Sequence, residues 1–221
     1  MIIVDYGAGN LTSVYNALKY LRIDSEISNN PKKIESADKI IFPGVGAAKA
    51  AMENLNKTGI GEALKTAAKK GTPILGICIG CQIILDTSDE NGIAVGAVPC
   101  GSPGAQCLGG SPKVQCLSII PGQTIKFKDE PNLKIPHIGW NQVNFTKEHP
   151  IFKGIPNNSN FYFVHSYHPN LSEEYIYGTT TYGSQTFPSL IGKDNVIAAQ
   201  FHLEKSGDLG LKVLNAFAHA F

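Results

Sequence analysis

The sequence is short of charge. Asp, Glu, Lys and Arg make up 17% of its 221 residues and nearly cancel, leaving a formal net charge of +1. A typical globular chain carries roughly 25%. With so even a balance, neither nucleic acid nor an anionic membrane surface is an expected partner. Long hydrophobic runs are also missing. The longest, Ile74 to Leu85, is broken by glycines and Gln82 and is too short to span a bilayer. The opening Met1-Ile2-Ile3-Val4-Asp5 lacks the basic stretch of a secretion signal. Cysteine is sparse and odd in number, at five. Without a secretion signal this implies reduced thiols rather than a disulfide framework, and a cytoplasmic location is expected. The Asn-x-Ser/Thr triplets at Asn10, Asn144, Asn157 and Asn170 are then chance matches.

What is present is an apolar content of 43%, enough for a sizeable core. The first half alternates two patterns. Ile2-Ile3-Val4, Ser25-Glu26-Ile27, Lys39 to Phe42 and Pro73 to Ile77 read as short strands. Between them, Leu11, Val14, Tyr15, Leu18 and Leu21 recur at helical spacing, as do the apolar residues of 47–70, with a break predicted at Thr58-Gly59. Ile83-Ile84-Leu85 is assigned to a helix after the fourth strand. Strands separated by helices imply βαβ units and a parallel sheet. From Val114 onward short strands dominate, at 123–127, 141–145, 160–165, 175–181, 189–192 and 196–201, before a last helix from Asp208 to about Phe221. The expectation is an α/β fold in one domain, residues 1–221: a mostly parallel open sheet flanked by helices and extended by an antiparallel strand-rich region. Residues 92–113, rich in Gly and Pro with Cys100 and Cys107, read as a surface-loop insertion.

Gly76-Ile77-Cys78-Ile79-Gly80 lies between an apolar strand and a helix, the arrangement of a nucleophile elbow with cysteine as the nucleophile. Glycines on either side permit a sharp turn that exposes the side chain at the sheet edge. The following helix would point its positive end at the sulfur and favour the thiolate. The Ile79 N–H would face a developing oxyanion. Such a cysteine needs a base and the base an orienting group. His202-Leu203-Glu204 supplies both if the backbone there is extended, since residues two apart then face one side. Phe42-Pro43-Gly44-Val45-Gly46 ends another strand and could bring further N–H donors to the same point.

Other readings of these residues stand beside the elbow. Cys78-Ile79-Gly80-Cys81 is also a C-x-x-C pair, as in redox enzymes or half a zinc site, although no second C-x-x-C follows. Gly7-Ala8-Gly9 begins like a dinucleotide fingerprint, but Thr12 occupies the third glycine position.

Taken together, several segments resemble the glutaminase subunits of imidazole glycerol phosphate synthase, which are class I, triad-type glutamine amidotransferases. They are Asp5-Tyr6-Gly7-Ala8-Gly9-Asn10, Phe42 to Gly46, Gly76 to Gln82, Pro136-His137-Ile138-Gly139-Trp140-Asn141, Phe163-Val164-His165-Ser166-Tyr167 and Gln200 to Ser206. The resemblance covers nearly the whole chain. It implies a catalytic triad of Cys78, His202 and Glu204, with no metal and no cofactor. It implies substrate and oxyanion contacts at Gly44, Val45, Gly46, Ile79, Gln82, His165, Ser166 and Tyr167. It places Asn10, Trp140, Asn141 and Lys205 toward a (βα)8 cyclase partner, a heterodimer in which ammonia from glutamine is passed on for histidine biosynthesis. Low activity without the partner is part of the same expectation. The surviving alternatives are a related subunit feeding a different synthase, for example in surface-sugar amidination, and a docking-only relative.

The sequence departs from the family pattern in four places. Cys81 stands where methionine is usual, which suggests an oxidative Cys78–Cys81 link. Leu203 replaces a proline between the triad histidine and glutamate, Ala48 replaces an aromatic residue, and residues 92–113 are additional.

Overall fold

The computed structural model describes residues 1–7, 10–90 and 113–219. The expected insertion at 92–113 lies outside the described residues apart from Lys113, as do Cys100, Cys107, the Ala8-Gly9 part of the glycine turn and Phe221. No described helix is long and apolar enough to cross a membrane.

The first half runs β1 (Ile2–Val4), α1 (Leu11–Tyr20), β2 (Glu26–Ser28), α2 (Pro31–Glu35), β3 (Ile40–Phe42), α3 (Ala48–Thr58), α4 (Ile60–Lys69), β4 (Ile74–Ile77) and α5 (Ile79–Ile83). Two-residue strands follow, β5 (Thr87–Ser88) and β6 (Val114–Gln115). Then come β7 (Gln123–Lys126), β8 (His137–Phe145), β9 (Ser159–His165), β10 (Tyr167–Asn170), β11 (Ile176–Tyr182), β12 (Gln185–Lys193), β13 (Val196–Ala199) and α6 (Gly207–His219). Nine strands form one sheet in the order β2-β1-β3-β4-β13-β12-β11-β8-β9. The first five are parallel and the remaining pairings antiparallel. This is the expected mixed sheet. Four strands, β10-β7-β5-β6, make a second sheet that the sequence did not announce.

Side chains of the parallel strands alternate between two cores, as the pleat requires. Ile2, Val4, Ile40, Phe42, Ile74, Val196 and Ala198 face a core covered by α2, α3 and α4. Ile3, Ile41, Leu75, Ile77, Ile197 and Ala199 face the other, covered by Val14 and Leu18 of α1 and Val213, Leu214 and Phe217 of α6. The predicted break between α3 and α4 falls at Gly59, which takes the left-handed conformation (φ 75°) that a Cβ disfavours.

One helix is additional to those expected, and one expected helix is shorter. Pro31–Glu35 is a helix, capped by the Asn30 side chain on the Lys32 N–H with proline in its first turn, signals that were present but unread. The helix after Cys78 stops at Ile83, so Ile84 is its C-cap and Leu85 lies beyond. The carbonyls of Ile83, Ile84 and Leu85 are taken by the N–H groups of Leu117, Ile119 and Ser118 across the second sheet. Tertiary partners replace the helical ones there.

Candidate active site

The carboxyl ends of β3, β4, β13 and β9 lie at one edge of the large sheet, where open α/β sheets hold their ligands. Gly44 to Gly46 follow β3, Cys78 follows β4, His202 follows β13, and Ser166 and Tyr167 follow β9. Cys78 has φ 54° and ψ −104°, a conformation that costs a non-glycine residue about 1–3 kcal/mol. Its N–H is tied to the Ala199 carbonyl at 2.8 Å, and its own carbonyl accepts from Cys81 and Gln82. These bonds hold the turn. Its tightness explains the glycine beyond it: a Cβ on Gly80 would lie 2.0 Å from the Phe42 carbonyl oxygen. Gly44 is equally confined, since a Cβ there would lie 1.8 Å from Ile79 and 1.9 Å from the Tyr6 hydroxyl.

Cys78 is 6% exposed. Its sulfur lies 3.9 Å from the Val164 carbonyl oxygen and 3.8 Å from Gln200 Nε2. His202 is 1% exposed, and its Nδ1 meets Glu204 Oε1 at 2.7 Å. The expected extended backbone is not what joins them. Leu203–Lys205 forms a 3-10 turn, pinned by Ser206 Oγ on the His202 carbonyl at 2.5 Å and by the His202 N–H on the Tyr162 carbonyl. Leu203 fills the core where proline was the expected residue, at 0% exposure. His202 Nε2 and Glu204 Oε2 are buried without a hydrogen-bond partner. Burial works against charge on His202, but the Cys78 sulfur and the Glu204 carboxylate outweigh it and push the imidazole up to about 10. A buried imidazole held on one side by a carboxylate and acted on by the Cys78 sulfur can take up and return a proton at that sulfur.

The pocket in front of Cys78 has a volume of about 250 Å³. Val45, Gly46, Ile79, Gln82, His165, Ser166 and Tyr167 line it, so all the predicted substrate and oxyanion positions except Gly44 border one cavity. Gln82 is fixed by its amide, which donates to the Tyr167 carbonyl at 2.8 Å and to Gln200 Oε1 at 3.0 Å. The Ile79 N–H is not free. It donates at 3.5 Å to the Gly44 carbonyl, which therefore occupies the side expected to present N–H donors. The adjacent Tyr6 hydroxyl is buried and unpartnered.

Sequence reasoning missed Glu90. It lines the same pocket, and its Oε2 accepts the Ala48 N–H at 2.8 Å at the start of α3. Burial raises its carboxyl above the ordinary range, with the Ala48 bond opposing. Nothing in its neighbourhood marked it, because only the pairing of β5 with β7 carries it back to the β3 turn.

The two cysteines of the C-x-x-C pair side with different cores. Cys78 packs into one core and Cys81, 0% exposed, into the other across the sheet. Burial, and then the neighbouring Cys78, hold the Cys81 thiol well above its ordinary range. Among the described residues no group of three His, Cys, Asp or Glu side chains is arranged to hold a metal ion.

The four residues expected to face a partner are placed differently from one another. Trp140 is 57% exposed and edge-on to Tyr162, with the Lys205 ammonium 5.9 Å from the same ring. Asn141, next on β8, turns inward, its amide nitrogen 3.2 Å from His137 Nε2 and 2.9 Å from the Thr181 carbonyl. Asn10 caps α1 by accepting the Ser13 N–H.

The chain is similar to known proteins over nearly its whole length. The family described as glutamine amidotransferase class-I matches residues 2–220. The chain is 45% identical over 215 residues to imidazole glycerol phosphate synthase subunit HisH of Methanocaldococcus jannaschii, covering 97% of this chain and 96% of that one. It is 41% identical over 217 residues to subunit HisH 1 of Campylobacter jejuni subsp. jejuni, covering 98% of each. Among solved structures, PurLQS from Thermotoga maritima superimposes with a TM-score of 0.65 at 16% identity, over 98% of this chain and 95% of that one, a likeness of fold. The chain belongs to the class-I glutamine amidotransferases and, within them, to the family of imidazole glycerol phosphate synthase subunit HisH.

Proposed function

We propose that the chain is a glutaminase that uses Cys78, His202 and Glu204 and passes the ammonia to the cyclase subunit of imidazole glycerol phosphate synthase, in histidine biosynthesis. One observation carries the chemistry: a strained cysteine at a strand end beside a buried histidine whose Nδ1 is held at 2.7 Å by Glu204 and whose Nε2 is unpartnered. In this reading the Cys78 thiolate attacks the side-chain amide carbon of glutamine. The C–N bond breaks, and His202 protonates the departing nitrogen to give ammonia and a γ-glutamyl thioester. Water then attacks the thioester with His202 as base, releasing glutamate and the free sulfur. Neither a metal nor a cofactor is required.

Gln82, Gly46, His165, Ser166 and Tyr167 hold the substrate, and Glu90 faces its α-ammonium as the carboxylate lining the pocket. The oxyanion donors are the N–H groups of Ile79 and the Gly44-Val45-Gly46 turn. Because the Gly44 carbonyl now covers Ile79, that turn must reorient for full activity, and the isolated subunit is slow. Exposed Ile138 and Trp140, with Lys205 beside Tyr162, support a partner face at the end of the large sheet. Asn10 and Asn141 are assigned to the partner by the same reading. Residues 1–221 act as one glutamine amidotransferase domain in the cytoplasm.

The test is glutamine hydrolysis by the purified subunit, alone and with the cyclase subunit and its ribonucleotide ligand, against Cys78→Ala. Stimulation by the complex that vanishes in the variant is expected. Activity that survives Cys78→Ala, or high turnover indifferent to the cyclase, contradicts the reading.

A further inference from the structure

We propose that Asn141, His137 and His165 form a one-directional hydrogen-bond relay that fixes the Tyr167 carbonyl and Gln82 in the glutamine pocket, making Asn141 and His137 positioning residues for substrate. The proposal rests on the pocket beside Cys78 being the glutamine site.

The chain of contacts is continuous. His165 Nδ1 lies 2.8 Å from the Tyr167 carbonyl oxygen, His165 Nε2 lies 3.0 Å from His137 Nδ1, and His137 Nε2 lies 3.2 Å from Asn141 Nδ2. At the pocket end the same Tyr167 carbonyl accepts Gln82 Nε2. Gln82 Nε2 also donates to Gln200 Oε1, and Gln200 Nε2 lies 3.8 Å from the Cys78 sulfur.

The direction follows from the two ends. A carbonyl oxygen can only accept, so His165 carries its proton on Nδ1. A neutral His165 then has a bare Nε2, and His137 must donate to it from Nδ1. His137 is left with a bare Nε2, which must accept from the Asn141 amide. The orientation of that amide is set independently: its nitrogen also donates to the Thr181 carbonyl at 2.9 Å, and its oxygen accepts the Gln142 N–H at 2.8 Å. Both ends therefore demand the same proton arrangement, and each interior bond has one donor and one acceptor.

The rings have little room to escape it. His137 and His165 are direct cross-strand neighbours on β8 and β9. His137 stacks on Tyr182 and Phe163, with centroids 4.0 and 4.9 Å away, and Phe127 and Phe187 pack around His165 at 5.1 and 5.2 Å. Burial holds both imidazoles neutral, His137 down to about 4 and His165 down to about 3. Asn141 is half-buried, and its neighbour Trp140 is exposed on the opposite face of β8. The relay thus begins on the strand that carries the exposed tryptophan and ends at the pocket wall.

The decisive variant is Asn141→Asp, a near-isosteric change that replaces the terminal donor with an acceptor. A neutral His137 must then donate from Nε2, which forces His165 Nε2 to become a donor; a His137 that takes up a second proton beside the new carboxylate donates from both nitrogens and leaves His165 as it was. In the first case Nδ1 of His165 is left to face the Tyr167 carbonyl without a proton, unless the ring takes up a second one. Nitrogen-15 NMR of the imidazoles reads the tautomers directly. In the wild-type subunit both rings should be Nδ1–H; in Asn141→Asp His137 should gain a proton on Nε2, and wherever His137 stays neutral His165 should lose the neutral Nδ1–H form. In the complex with the cyclase, KM for glutamine should rise about tenfold with kcat changed less than about twofold, the size of one lost hydrogen bond. A second pair guards against misfolding: His137→Phe keeps the ring and loses the donor, whereas His137→Asn keeps a donor toward His165 and should recover most of the affinity lost in His137→Phe. A His137 with no proton on Nε2 in Asn141→Asp overturns the relay, as does wild-type KM with both rings neutral, or His137→Asn behaving no better than His137→Phe. A wild-type complex that hydrolyses no glutamine would fail the functional reading instead, while the tautomers still report on the relay.

Discussion

Glu204 Oε1 lies 2.7 Å from His202 Nδ1 across a single 3-10 turn, and the opposite ring nitrogen, Nε2, is buried without a partner. The contact fixes the tautomer and ring plane, and in the proposed mechanism the carboxylate would stabilise the imidazolium formed on proton transfer. Glu204→Gln keeps an acceptor for Nδ1 but removes the charge. It is expected to lower kcat by about a hundredfold or more with little change in KM. Steady-state glutamine hydrolysis in the complex decides it, and an unchanged kcat would remove Glu204 from the catalytic set.

Glu90 reaches the pocket from outside any motif. Glu90→Gln retains an acceptor for the Ala48 N–H and removes the negative charge proposed to meet the substrate α-ammonium. KM for glutamine should increase about tenfold, the weight of a charge-assisted hydrogen bond, with kcat nearly unchanged. A fall in kcat at constant KM would indicate instead that Glu90 acts by shaping the β3 turn.

Leu203 leaves the contact between His202 and Glu204 intact. His202 has φ −89° and ψ 103°, an extended conformation that accepts a following proline, and the first position of a helical turn tolerates the missing N–H. Leu203→Pro should keep kcat/KM within about threefold while lowering Tm, because a fully buried leucine side chain is partly lost. A large loss of activity at unchanged Tm would show that the turn needs leucine.

Cys81 is expected neither to protect nor to silence Cys78. Its thiol lies in the core across the sheet, and burial keeps it protonated. Peroxide inactivation should therefore proceed at the same rate in Cys81→Ser as in the wild type, without a Cys78–Cys81 disulfide in mass spectra. Slower or irreversible inactivation in the variant would restore the redox switch.

Stability should fall on the acid side before most carboxylates titrate. His137 and His165 are held down to about 4 and about 3, and burial also lowers His168, against an ordinary value of 6.5. Below 6.5 the unfolded chain binds protons that the folded one refuses, so stability is present above 6.5 and lost as pH falls toward 4. His202 has the opposite sign. Pushed up to about 10, it gives its proton up on unfolding above pH 6.5, so its contribution is lost as pH rises toward 10. Tm measured against pH should peak near neutrality, with uptake of about two protons on unfolding at pH 5. A Tm that is flat from pH 7 to 4.5 would mean that the buried imidazoles are hydrated.

Much of the frame was legible in the sequence. Ile2-Ile3-Val4, Ile40-Ile41-Phe42 and Ile74 to Ile77 are apolar on both faces because both faces of a parallel strand are covered, and the Gly-x-Cys-x-Gly turn signalled its strand–helix context through sterics alone. The histidine and glutamate two residues apart were equally visible. These are local consequences of backbone geometry and burial, and a linear chain records them.

What a linear chain does not record is which distant segments meet. The antiparallel register that sets His137 opposite His165, the pairing of β5 with β7 that returns Glu90 to the pocket, and the capture of the Ile83 and Ile84 carbonyls that cuts α5 short each depend on residues at least about thirty positions apart in the sequence. The 3-10 turn that joins His202 to Glu204 was also decided there, by the Tyr162 carbonyl and the Ser206 hydroxyl. The sequence by itself determined which residues could carry the chemistry. The tertiary structure decided which of their hydrogen-bonding groups are engaged, because each donor and acceptor is settled by the partner that packing brings to it.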